Sequence, residues 1–252
     1  KREAKVSLDF YRRQRHRWKP GHWRCLRTRS GLKFWQWPEG YRPDKFELLD
    51  YHYYQLNFPF DTASRTRDIL HVIGKLPNQD TLHYFVNHWP SKFGGEFETQ
   101  PKRMFAAEFI RHKADSIMKA QPGANIIITG DFNDEPYEES MVDGLKVQTE
   151  MDQVKPTDLF NMMYPIRYLT GTHSFENEWG ILDQFVVSGN LLNSRNSTSI
   201  RNKSAQIFDM PFLIMEGATG ATRPFRTYQG PSYIGGYSDH LPIIMDLVLR
   251  EK

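Results

Sequence analysis

Between Thr81 and Thr129 the chain changes its hydrophobic period twice, and this alternation constrains the fold more than any other stretch. Thr81-Leu82-His83-Tyr84-Phe85-Val86-Asn87 is β-rich. It follows a similar run, Asp68-Ile69-Leu70-His71-Val72-Ile73-Gly74-Lys75, after Leu76-Pro77-Asn78-Gln79-Asp80, whose Pro-Asn pair is turn chemistry. The two runs read as a hairpin. From Thr99 to Gln121 the period becomes helical, with Met104, Ala107, Ile110, Ala114, Ile117 and Met118 on one face. Thr99 or Gln100 is available as cap, Pro101 falls in the first turn, and Pro122-Gly123 closes the segment. Asn125-Ile126-Ile127-Ile128-Thr129 is then the apolar, β-branched run of a buried strand. Ile181–Val187 and Pro242–Val248 look like further strands. With no internal repeat and no low-complexity linker, residues 41–252 read as one mixed α/β domain.

Composition narrows the class. At 252 residues, 39% apolar and 25% charged, the chain can bury a core, and disorder, collagen and coiled coil are excluded. No apolar run approaches the roughly 20 residues that span a bilayer, and the amino terminus lacks a signal-peptide core. The compartment stays open, with secretion or a periplasmic address after signal removal included. One cysteine, Cys25, excludes an internal disulfide, a zinc finger and a Cys-X-X-Cys redox site. Catalysis must therefore come from carboxylates, histidines and hydroxyls.

The net charge of +3 is unevenly spread. Residues 1–40 hold twelve lysines and arginines against three acids, and four of the six tryptophans, whereas residues 41–252 are net acidic at −6. The division is thus an atypical basic Trp/Arg-rich segment, 1–40, ahead of the domain. Such an arm could grip nucleic acid through phosphates and stacking, or it could be a segment foreign to the domain.

Four short motifs carry chemistry. In Gly130-Asp131-Phe132-Asn133-Asp134 an apolar strand runs out into polar residues, so Asp131 and Asn133 share a face while Phe132 anchors the other. A carboxylate and an amide presented together suit a hard cation or a water nucleophile beside a phosphoryl group; the same residues would equally make an Asx-type turn. In Gly235-Gly236-Tyr237-Ser238-Asp239-His240, directly before an apolar strand, His240 is the natural general base because imidazole titrates near neutrality. Asp183, inside an otherwise apolar run, needs a histidine or a cation to offset its desolvation, and a carboxylate behind His240 would fix its tautomer. Asn87-His88-Trp89-Pro90-Ser91 ends a strand, where His88 could meet a phosphate oxygen or simply pack.

In this order, with Gly-Asp-Phe-Asn and Ser-Asp-His about 105 residues apart, the set resembles the endonuclease/exonuclease/phosphatase superfamily. Tyr41-Arg42-Pro43-Asp44-Lys45-Phe46 matches a strand-ending segment of that superfamily, and the nearest likeness is to an uncharacterised bacterial branch, in which His-Trp-Pro-Ser is followed by a double glycine, here Gly94-Gly95. The resemblance implies a deoxyribonuclease-I-like α+β sandwich, two packed, mainly antiparallel β-sheets flanked by helices. It implies water attack on a phosphodiester with a divalent cation, Mg²⁺ or Mn²⁺. Carried over by position, His240, Asp183, Asp131 and His88 are catalytic, Asn133 and Asn87 bind phosphate, and Asp239 and Asp131 bind metal. The partner is a phosphoester substrate, nucleic acid among the candidates. The superfamily's earliest motifs, an Asn strand and a Glu strand, have no counterpart in residues 1–40, so the sandwich is expected to lack its N-terminal strands. That gap leaves an alternative function: binding of a phosphorylated or nucleic-acid ligand without turnover.

Overall fold

The computed structural model describes residues 3–10, 24–25, 40–169, 171–217 and 220–251, and of those before Tyr41 the backbone alone. Apart from these segments the basic arm lies outside the described residues, as do most positions at which an Asn strand and a Glu strand would fall.

Thirteen strands and one long helix position the site. In chain order they are β1 (Glu3–Phe10), β2 (Glu47–Tyr54), β3 (Ile69–Lys75), β4 (Thr81–His88), α1 (Glu96–Ala120), β5 (Asn125–Asp131), β6 (Val147–Gln148), β7 (Leu159–Asn161), β8 (His173–Phe175), β9 (Glu178–Gly180), β10 (Asp183–Ser188), β11 (Thr198–Ile200), β12 (Gln206–Ile207) and β13 (Ile243–Arg250). A seven-stranded sheet runs β2-β3-β4-β5-β10-β7-β6, and a four-stranded sheet has β13 at its centre, paired with β1, β11 and β12. Only β4–β5 and β6–β7 run parallel in the larger sheet; all pairs in the smaller one are antiparallel.

The hairpin forms as the sequence predicts, with Leu70 opposite Val86 and Lys75 opposite Thr81. The Leu76–Asp80 turn closes with Leu76 N donating to Asp80 O at 2.9 Å, and Gln79 takes a left-handed φ of 68°. The helix differs at its start. It begins at Glu96, where Glu96 and Glu98 favour the positive end of the helix dipole, while the Thr99 hydroxyl donates to Gly95 O from within the helix at 2.7 Å. Pro101 therefore sits in the second turn, giving up its hydrogen bond to the Phe97 carbonyl.

Two cores form a three-layer sandwich. On β5, Ile126 and Ile128 face α1 through Ala106, Ala107, Ile110, Ala114 and Met118. Ile127, pointing the other way, packs with Phe185 and Val187 of β10 and with Ile243, Met245 and Leu247 of β13. The continuous apolar run thus serves both faces of a central strand, as period two requires. The smaller sheet also draws in the amino terminus: β1 pairs with β13 from Glu3 opposite Arg250 to Phe10 opposite Ile243.

Candidate active site

Strand register brings three of the expected residues into one row. His88 is the last residue of β4 and lies beside Asp131, the last of β5; Asp183, the first of β10, lies beside Asp131 on the other side. All three share the inward face with Ile127 and Phe185, so they look across the sandwich towards the smaller sheet. His240, just before β13, comes from that sheet to meet them.

His240 Nδ1 lies 2.5 Å from Asp183 Oδ2, and its Nε2 lies 3.9 Å from Asp131 Oδ2. His88 Nε2 approaches the same Asp131 oxygen at 3.4 Å. Asp131 and Asp183 are 2% and 1% exposed, so neither charge is screened by bulk water. Burial alone would lower the pKa of His240, but the charge of Asp183, then that of Asp131, outweighs it and holds the imidazole up at about 9. The histidine is therefore cationic at neutral pH, so the near-neutral titration that made it a ready base does not apply in this setting.

Backbone features fix the row. Gly130 has φ 130°, and a Cβ there would sit 2.0 Å from Asn87 O, so the close β4–β5 approach before Asp131 requires glycine. Thr172, fully buried, accepts from Leu182 N at 3.0 Å and Asp183 N at 3.1 Å through its hydroxyl, while its carbonyl accepts from Leu241 N at 2.7 Å. One threonine thereby ties the Asp183 strand to the His240 loop. The Ser238 hydroxyl accepts from His240 N at 3.2 Å.

The two expected phosphate-binding asparagines part company. Asn133, in the left-handed region at φ 53°, donates its backbone N–H to Asp131 Oδ1 at 3.0 Å and its Nδ2 to Trp89 O at 2.9 Å, which places it at the rim beside the row. Asn87 is not brought to the site. Adjacent to His88 on an extended strand, it points to the opposite, helix-facing side, where it donates to Thr129 O and accepts from Trp89 Nε1, both at 3.2 Å. Asp239 is half-buried beside His240, and its charge acts on both His240 and His173.

His173 is a site residue that the motifs missed. It forms a bridge with His240, their rings 4.6 Å apart, and burial followed by the His240 charge pushes its pKa down to about 4. Its sequence signal is Gly171-Thr172-His173 at the start of a short strand, closing on Asp183 ten residues later. Asp134 and Glu135, close to Asp131 in the chain, are not part of the row. Asp134 accepts from Arg103 Nε and from Ser140 Oγ at 2.6 Å each, and Glu135 accepts from Ile181 N at 2.9 Å.

Among the described residues the donor set falls short of a magnesium site. Among the described residues no group of three or more His, Cys, Asp or Glu side chains could hold a metal ion. Asp131 and Asp183 face imidazoles, whereas Mg²⁺ requires several hard oxygens in near-octahedral array.

A model of the Endonuclease/Exonuclease/phosphatase family matches residues 40–249. The chain belongs to this family. Solved structures share the family's deoxyribonuclease-I-like sandwich. Humanized D. rerio TDP2 carrying 14 mutations superposes with TM-score 0.52 at 13% identity, over 82% of this chain and 70% of that one. A mannosyl-6-phosphatase from Bacteroides thetaiotaomicron gives 0.50 at 18% identity, over 83% and 70%. D. rerio TDP2 complexed with a single strand DNA product gives 0.50 at 14%, over 82% and 70%. At such identities the likeness is one of fold. No curated protein matches the sequence. No helix of the described residues is long and apolar enough to cross a membrane.

Proposed function

We propose that this site hydrolyses a phosphodiester by attack of water. The observation that carries the reading is the chain of contacts His88–Asp131–His240–Asp183, at 3.4, 3.9 and 2.5 Å, built from three strand ends of one sheet and a loop of the other. Family membership supports it. The water oxygen forms a bond to phosphorus and its proton goes to Asp131. The ester P–O bond breaks with its electron pair on the leaving oxygen, which His88 reaches as hydrogen-bond donor. His240, kept cationic by Asp183, faces a phosphoryl oxygen and stabilises the charge that develops there. Asn133 stands by for the same phosphate through its second amide hydrogen, and Asp239 adds charge beside His240.

Turnover is expected to depend on a divalent cation, Mg²⁺ or Mn²⁺. The test is hydrolysis of bis-p-nitrophenyl phosphate with either ion. Turnover is expected, with His240→Ala lowering kcat by about 10²–10⁴-fold. Activity that survives both EDTA and His240→Ala overturns the reading.

The few cation donors among the described residues favour one second reading, that of a relative that binds a phosphorylated or nucleic-acid ligand without turnover. Calorimetry showing phosphodiester binding with no hydrolysis at millimolar Mg²⁺ would establish it.

A further inference from the structure

A cavity of about 520 Å³, within the size range of small-molecule sites, opens among segments that adjoin the His-Asp row in the chain. Leu241, next to His240, forms part of its wall; so do Trp179, four residues before Asp183, and Glu135, bonded to Ile181 N. None of the four row residues lines the cavity, but the segments just before Asp183 and just after His240 contribute to its wall, so an organic group carried on a phosphorus at His240 would be directed towards it.

The wall has three aromatic faces. Tyr168 is 77% exposed and Tyr137 48%, with rings 6.2 Å apart at 30°. Trp179 is held by its Nε1, which donates to Thr222 Oγ1 at 3.3 Å. A flat base sandwiched between the two tyrosines would need roughly 7 Å, twice a van der Waals stacking distance, so each ring offers a single face.

The charged groups are Glu135, Asp209 and Arg167, and the Thr222 hydroxyl and the phenols of Tyr137 and Tyr168 belong to lining residues as well. Arg167 is partly engaged, with its guanidinium 3.8 Å from the Tyr164 ring centre and 4.5 Å from that of Tyr168, one N–H donated to Tyr164 O at 2.6 Å, and its Nε buried without a hydrogen-bond partner. Glu135 is fixed: a Cβ on Gly180 would lie 2.1 Å from its Oε1, so only glycine there leaves it room. Two carboxylates accept and do not donate. They outnumber the single guanidinium, so the wall disfavours a second phosphate and suits hydroxyl donors on a body with apolar C–H faces.

We infer that this cavity is a binding subsite for a neutral, polyhydroxylated ring, a sugar, carried on the phosphoester that the site hydrolyses. The inference rests on the phosphoesterase reading and adds the class of organic group.

The test uses three p-nitrophenyl diesters with a common leaving group, made from hexose 6-phosphate, ethyl phosphate and thymidine 5′-phosphate. In the full chain with Mg²⁺, the hexose diester should have the highest kcat/KM. Tyr168→Ala and Asp209→Asn should each lower that value about tenfold, mainly through KM, and leave the ethyl diester within about twofold. Tyr168 is largely exposed, so its replacement leaves the fold intact. Equal losses on the ethyl diester, or a preference for the thymidine diester, overturn the inference. Calorimetry of hexose 6-phosphate against His240→Ala reads the cavity without turnover. Binding weakened about tenfold by adding Tyr168→Ala supports the subsite even if no diester is hydrolysed, in which case the phosphoesterase reading alone fails. Absent binding, or binding indifferent to Tyr168, overturns it.

Discussion

His240 Nδ1 donates to Asp183 Oδ2 across 2.5 Å, joining a loop of the four-stranded sheet to the first residue of a strand in the seven-stranded one. The carboxylate holds the ring's orientation and, with Asp131, its proton. Asp183→Asn should bring the His240 titration midpoint down from about 9, because burial, the largest influence, is then opposed mainly by Asp131. An NMR titration of the ring reads this directly, and an unchanged midpoint would refute the assignment.

Gly130→Ala should cost about 3 kcal/mol or more, because φ 130° is closed to alanine and the added Cβ would run into Asn87 O. Urea unfolding measures the loss. A cost below about 1 kcal/mol would show that β4 and β5 can part without consequence.

Arg103 and Asp134 form a buried pair, 0% and 1% exposed in their side chains, in which burial raises the carboxyl to about 6 even with the guanidinium present. Arg103→Met leaves the acid only the Ser140 hydroxyl and Lys92 Nζ, 3.7 Å away, and should cost about 3 kcal/mol at pH 8. A carboxyl raised in the folded state favours folding below its unfolded pKa and loses that contribution as pH rises through the folded value. The variant should therefore recover part of its stability at pH 5, and equal losses at both pH values would contradict this.

His71 lies between Tyr54 Oη at 3.3 Å and His83 Nδ1 at 3.1 Å, flat against Phe85 with ring centres 4.0 Å apart. Burial, then the charge of His83, pushes its pKa from 6.5 to about 3, and burial lowers His83 too. Above pH 6.5 neither folded nor unfolded chain holds the proton. Between 6.5 and 3 only the unfolded chain takes it up, so stability falls with falling pH by up to about 1.4 kcal/mol per pH unit for each such group. His71→Gln should flatten the decline of urea midpoints from pH 7 to 4.5. Parallel profiles would exclude His71 as the cause.

Where local pattern decides, the sequence is readable. The hairpin, the helix and the central strand follow from period and turn chemistry, and Asp183 is recognisable as a site residue because an acid in an apolar run demands a partner. The misses have physical causes. Asn87 and His88 are neighbours in one motif, but alternation sends one to the helix and the other to the site, and which goes where depends on the face that the second sheet covers. His173 acquires its place only through the bridge to His240, a contact between residues far apart in the chain. The period-two pattern of Glu3–Phe10, with Ala4, Val6, Leu8 and Phe10 apolar, is hidden by the basic stretch that follows, and its edge position is set by β13.

Because one sheet supplies His88, Asp131 and Asp183 and the other delivers His240, the constellation acts as an interlock on assembly. A one-residue slip of β13 against its neighbours would carry His240 about 3.3 Å along the strand and turn it to the opposite face. A chain that closed its sandwich out of register would therefore be inert instead of altered in specificity, and the correctly seated chain is the one species in which the cationic ring and its two acids meet.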